Sequence, residues 1–168
     1  MNVRPAVPAD VEAIAAIHIA AWRAAYRGHM PDAYLDSLSL EQRRAMWSGV
    51  LARPGPGQLA VADTGFCYYG PTRDKEGGVA EIYALYVRPD AWRQGTGRAL
   101  CEHAQRHAAT LELHTMTLWV LKGNDGARRF YERLGYAADG SERTNTRLIG
   151  TPLHEMRYRK ALNSVPGT

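Results

Sequence analysis

The apolar positions of this chain change period along its length. After Asp10, residues Val11, Ile14, Ile17 (or His18), Ala21, Trp22 and Ala25 recur every three or four residues, so a helix is expected, ending at Gly28. Pro31 opens a second helical piece and residues 40–51 form a third, before Arg53 to Gly57, RPGPG, breaks the chain. Beyond that point the elements read as strands. Gln58 to Asp63 and Phe66 to Tyr69 are joined by the tight turn Thr64-Gly65. After the polar turn GPTRDKEGG comes Ala80 to Val87, rich in aromatic and branched residues. An amphipathic helix follows from Gly97 to about Leu111, then a strand from Thr115 to Leu121. Asp125 to Leu134 is a helix stopped by Gly135, and Tyr136 to Asp139 and Leu153 to Arg159 are closing strands. Met1 to Arg4 is a short first strand, and the final NSVPGT a frayed end. No repeat or linker divides the chain. Helices, a strand meander, then strand–helix–strand–helix–strand imply one mixed α/β (α+β) sheet with helices on its faces. One domain over residues 1–160, with a tail at 161–168, accommodates all of it.

Composition narrows the classes. With 45% hydrophobic and 23% charged residues in 168, the chain matches a soluble globular domain rather than a disordered one. No apolar run approaches the roughly 18 residues a membrane helix needs, and MNVRPAVPADVE lacks a signal-peptide core, so no membrane role is expected. Cys67 and Cys101 have no CxxC partner, which suits free thiols in a reducing cytoplasm. The net charge of +4 comes from dispersed arginines without interleaved aromatics, so no nucleic-acid partner is expected. It suits a small anionic ligand or a solvated surface equally. His103 and His107 have a chelating i, i+4 spacing but no third ligand, so no metal is expected. Cys67 as a nucleophile lacks a linked His–Asp pattern.

The chemistry concentrates in YVRPDAWRQGTGRAL, residues 86 to 100, where a strand gives way to a helix. A helix start presents unpaired N–H groups and positive potential. Gly95 and Gly97 let backbone approach a ligand, and Arg93 and Arg98 add charge. That describes a phosphate site; it also describes a glycine turn with exposed arginines. Leu100 stands where a dinucleotide fingerprint needs its third glycine, which excludes a Rossmann oxidoreductase, and no Walker Gly-Lys-Ser/Thr is present.

The second half, TLWVLKGNDGARRFYERLGY at 117–136, repeats the strand, loop, helix order. Together with EIYALYVRPDAWRQGTGRAL it resembles the GNAT superfamily of acyl-CoA-dependent N-acyltransferases, over about residues 1 to 160. The resemblance implies a GNAT-like, mostly antiparallel twisted sheet of about six to seven strands with about four to five helices and a splayed central strand pair. It implies acetyl-CoA as donor and a primary amine of a small molecule or peptide as acceptor, joined by direct attack. Leu85, Tyr86 and Val87 would pair their backbone with the pantetheine arm. Residues Arg93, Gln94, Gly95, Thr96, Gly97 and Arg98 would wrap the pyrophosphate. Asn124 would bond the pantetheine, with Ala127 and Tyr131 on the same helix face.

Tyr131 would protonate the leaving thiolate; otherwise it is a core aromatic beside Phe130 and Leu134. Glu81 is the base by resemblance, or else an outward-facing strand carboxylate paired with an arginine. Trp22 and Tyr26, in step with His18, are acceptor-site residues or a core stripe. Trp92 departs from the family pattern, which usually has Arg or Gln there. A non-catalytic acyl-CoA sensor on the same fold is the alternative function. Homodimer pairing through TPLHEMRYRKAL is a family habit.

Overall fold

The computed structural model describes residues 1–53, 55–146 and 150–163. Seven strands form one sheet in the order β1-β2-β3-β4-β5-β7-β6. They are β1 (Arg4–Pro5), β2 (Gln58–Ala62), β3 (Gly65–Pro71), β4 (Val79–Val87), β5 (Thr115–Leu121), β6 (Ala137–Asn145) and β7 (Leu153–Ala161). The α-helices are α1 (Val11–Tyr26), α2 (Asp32–Asp36), α3 (Leu40–Ala52), α4 (Thr96–Thr110) and α5 (Asp125–Arg133). This is the expected mixed, mostly antiparallel architecture. Among the described residues no helix is long and apolar enough to cross a membrane.

β4 and β5 form the one parallel pair, because α4 carries the chain across the sheet between them. Their pairing runs only from Val79↔Thr115 to Ile82↔Leu118. β4 then continues five residues to Val87 against β3 alone, and β5 continues to Leu121 against β7 alone. The two strands therefore part. The splay starts at a bulge: Tyr68 faces Ala84 while Tyr69 faces Ile82, so Tyr83 is an extra residue on β4. A bulge adds twist and ends regular pairing.

Each face of the sheet has its own core. On one, Ala80, Ile82, Met116 and Leu118 pack under Leu100, Cys101 and Ala104 of α4. On the other, Val61 and Phe66 meet Val11, Ile14 and Ile17 of α1 and Trp47 of α3. Burying each large aliphatic side chain stabilises by about 1.5–3 kcal/mol, which explains why the α1 periodicity was readable. Ser39 caps α3 by accepting from the Gln42 N–H at 3.2 Å.

β6 is much longer than the expected Tyr136–Asp139. It is an edge strand, AADGSERTN, with no buried residue, so no apolar alternation marks it. The expected tail begins inside β7, which ends at Ala161; residues 164–168 lie outside the described residues.

His18 sits in the core between the helices and the sheet. Its Nδ1 accepts from the Trp47 indole N–H at 3.1 Å, and its ring stacks on Tyr86 at 5.2 Å. Burial, with a contribution from Arg43, lowers its pKa to about 3. Between that value and the ordinary 6.5 the unfolded chain binds the extra proton, so His18 subtracts stability as pH falls below 6.5. His18→Gln keeps an acceptor for Trp47 without titrating. In urea unfolding, the wild-type advantage over this variant should shrink by about 2 kcal/mol between pH 7.5 and 5. A constant difference would contradict the assignment.

Candidate active site

The cleft between the parting strands is lined by backbone. The Arg88 N–H donates to Thr64 O at 2.7 Å, across the β3 side. By alternation Tyr86 and Ala84 also face β3, and the N–H and C=O groups of Leu85 and Val87 face the cleft. Of the three strand-end residues, Tyr86 thus contributes a side chain rather than backbone. The Val87 carbonyl is already taken: the Trp92 indole N–H donates to it at 2.8 Å. Trp92, 44% exposed, ties the loop after β4 back to the strand end.

At the mouth of the cleft stands the start of α4. Gly95 is its N-cap with φ +91°, and Arg93 has φ +63°. Two left-handed residues so close together turn successive amides inward, the geometry of an anion nest. No side chain caps this helix, whereas Asn124 caps α5 by accepting from the Ala127 N–H at 3.2 Å. The first amides of α4 are left for a ligand. Thr96 is buried, and its hydroxyl is 3.0 Å from that of Thr64, which pins the helix start to the β2–β3 turn. Arg98 is exposed and paired with Glu102 at 2.8 Å; Gln94 donates weakly to Asp90 O at 3.4 Å.

The two glycines do different work. A Cβ on Gly95 would meet nothing, so its requirement is the left-handed φ. A Cβ on Gly97 would sit 3.0 Å from Phe130 Cζ, so Gly97 lets α4 close on α5.

Tyr131 packs with Phe130 and Tyr136, ring centroids 5.1 and 5.7 Å away, and its hydroxyl makes no hydrogen bond among the described residues. Burial pushes its pKa well above 10, and the neighbouring Cys101, Cys67, Tyr26 and Tyr86 add to the shift. Tyr26 and Tyr86 are raised for the same reason. Trp22 is buried with Met30, Leu35 and Leu153, with Tyr26 packed against them, so both take part in the core. Ala127 packs against the other core, under α4, with Phe130 and Tyr131.

Glu81 lies elsewhere, in the paired part of β4. It is fully buried; Oε1 accepts from the Arg73 N–H at 2.9 Å and Oε2 from Arg73 Nη2 at 2.7 Å. His107 Nδ1 is 3.0 Å from the Tyr69 hydroxyl, on the opposite side of the sheet from α1. Burial raises the Cys101 thiol to about 12 and Cys67 well above its ordinary range, so both stay protonated. Among the described residues no cluster could hold a metal ion.

A second hollow of about 740 Å³ opens where β5 ends beside β6 and β7. Leu121, Leu153, Glu155, Arg143, Lys122 and His29 help to line it. The sequence reading missed it, because it joins one polar edge strand to a helix–helix turn far away in the chain.

The Acetyltransferase (GNAT) family model matches residues 12–136. The chain belongs to the GNAT acetyltransferase family. GNAT enzymes take their acyl group from acetyl-CoA, and this chain is an acyltransferase of that kind. It is 30% identical to the uncharacterized N-acetyltransferase YuaI of Bacillus subtilis, over 93% of this chain and 90% of that one. In fold it is similar to the PaiA N-acetyltransferase of Thermoplasma acidophilum in complex with coenzyme A, with TM-score 0.74 and 18% identity over 95% and 98% of the two chains. It is also similar to yncA, a putative acetyltransferase from Salmonella typhimurium with acetyl-CoA, with TM-score 0.69 and 21% identity over 100% and 97%.

In this GNAT chain the Gly97–Phe130 contact is open to a double-mutant cycle. Gly97→Ala should destabilise, and should cost less in a Phe130→Leu background, with a coupling of about 0.5–3 kcal/mol by urea unfolding. Strict additivity would show that Gly97 has another purpose.

Proposed function

We propose that this protein transfers the acetyl group of acetyl-CoA to a primary amine of a small molecule or peptide, by direct attack within a ternary complex. What carries this reading is one convergence: an unpaired strand edge, an uncapped helix start and a protonated tyrosine meet at one cleft.

In this reading the amides of residues 93–98 take the pyrophosphate oxygens, with Arg93 and Arg98 adding positive potential and Gln94 a polar side chain. Leu85 (N–H and C=O) and Val87 (N–H) pair with the pantetheine amides as a neighbouring strand would. Asn124 spends Oδ1 on its own helix and offers Nδ2 to the same arm. Ala127 gives that arm a smooth wall. Tyr131 stays protonated and donates to the departing thiolate. Trp22 and Tyr26 wall the acceptor side. Glu81 is held at both oxygens by Arg73 and fixes the loop after β3 rather than receiving a proton.

Two measurements test this. Acetyl-CoA at 100 times its Kd should stabilise by about 2.7 kcal/mol, or about 5 to 10 °C in Tm. Tyr131→Phe should keep that rise yet lose about 100-fold in kcat, read by thiol release. An unresponsive Tm would end the donor assignment. A fully active phenylalanine variant would end the role of the hydroxyl.

A further inference from the structure

A primary alkylamine is protonated at neutral pH, its pKa being about 10, and cannot attack until a proton leaves. Burial leaves Tyr131, Tyr26 and Tyr86 as donors. His18 Nδ1 is spent on Trp47, and Glu81 is spent on Arg73. The acceptor must come from another wall.

Glu155 meets the requirements. It alternates with Leu153 on β7, and Leu153 packs against Trp22 and Leu35, so both side chains face the α1 side. Its side chain is 15% exposed, recessed in the wall of the 740 Å³ hollow. Among the described residues its one ion pair is loose: Arg143 reaches its two oxygens at 3.3 and 3.4 Å, while also lying over the Trp119 ring at 4.2 Å. Glu142, the other carboxylate in the hollow, is exposed and tightly held by Lys122 at 2.7 Å. Tyr26 and Tyr86 pack in one cluster with Leu121 and Leu153, which line the hollow, and Glu155 lies close enough to raise both phenols. The hollow thus adjoins the end of β4 through the cluster that holds Tyr86. Leu121, Pro152 and Leu153 provide apolar wall for the carbon frame of the acceptor.

We infer that Glu155 anchors the ammonium of the acceptor and takes its proton. The assignment rests on the acetyl-transfer reading above and adds the missing base to it. The ammonium gives one proton to Glu155, which passes it to solvent. The neutral amine attacks the thioester carbonyl; the C–N bond forms and the C–S bond breaks. The nitrogen sheds its second proton to solvent, the thiolate takes one from Tyr131, and the tyrosinate regains a proton from solvent, so the free thiol, the amide and a proton are the only products.

Two small nucleophiles separate this role from a structural one. At about pH 7.5 methylamine is almost all protonated, whereas hydroxylamine is already neutral and needs no base. In thiol-release assays with acetyl-CoA, Glu155→Gln should lose at least about 100-fold with methylamine and less than about threefold with hydroxylamine. The Tm rise with acetyl-CoA should persist in the variant, which shows that the fold and donor site are intact. Equal losses with both nucleophiles would make Glu155 only a cross-strand partner of Arg143 and overturn the assignment. So would no loss with either, or a wild type that uses hydroxylamine but not methylamine. A wild type that ignores acetyl-CoA altogether would instead remove the transfer reading beneath it.

Discussion

The parting of β4 from β5 after four residue pairs is the constraint on which the cleft depends. A parallel pair in mid-sheet would ordinarily run its full length, because unpaired backbone groups away from water are costly. Here the extra residue at Tyr83 turns β4 before the pairing can continue. The bulge is held from outside: the Tyr83 hydroxyl donates to the Pro71 carbonyl, and the Arg73 guanidinium lies over its ring at 4.6 Å. Glu81 matters through this arrangement, since its grip on Arg73 fixes the cation that covers the bulge. The open edge at Leu85 and the Val87 N–H is thus a consequence of local packing a few residues away along the strand.

The helix that faces this edge repeats the logic. α3 and α5 satisfy their first amides with Ser39 and Asn124, whereas α4 starts on a glycine that has nothing to offer. Left-handed backbone at Arg93, a non-glycine residue, is uncommon and costs of order 1 kcal/mol or more. It persists because both sides of the loop are tied down, by Trp92 to Val87 and by Thr96 to Thr64. Trp92, the departure from the family pattern, therefore replaces a polar side chain with a clamp on the strand end.

Much of this could be read from the chain because periodicity reports burial. α1, α4, β4 and β5 each bury one face or both, and their apolar spacing located them within a few residues. The glycine junction was legible because glycine at φ +91° is a local requirement. Three things were not legible. β6 buries nothing, so beyond Asp139 its residues look like loop. Gly97 answers to Phe130, 33 positions on, and no local pattern announces such a contact. Glu155 sits in a strand that read correctly, but its importance comes from the elements facing it across the hollow. For Glu81 the two readings from sequence were a base and an outward-facing carboxylate paired with an arginine; the Arg73 contact favours the pairing, but the side chain is buried rather than outward-facing.

The same burial that builds the core also sorts protons. In a weakly polar interior each titratable group keeps its neutral form, so phenols and thiols stay protonated while imidazole stays bare. Along the α4 and α5 side of the cleft this leaves Tyr131, Tyr136, Cys67 and Cys101 all holding their protons. That wall can donate to a departing thiolate but cannot receive from an arriving ammonium. A receiver needs a charged form that water and a cation keep affordable, and β6 and β7 meet that need with Glu155 beside Arg143 at the rim of an open hollow. Tyr131 packs with the core under α4, and Glu155 lies on the α1 side with Leu153, so the proposed donor and receiver fall on opposite faces of one splayed sheet.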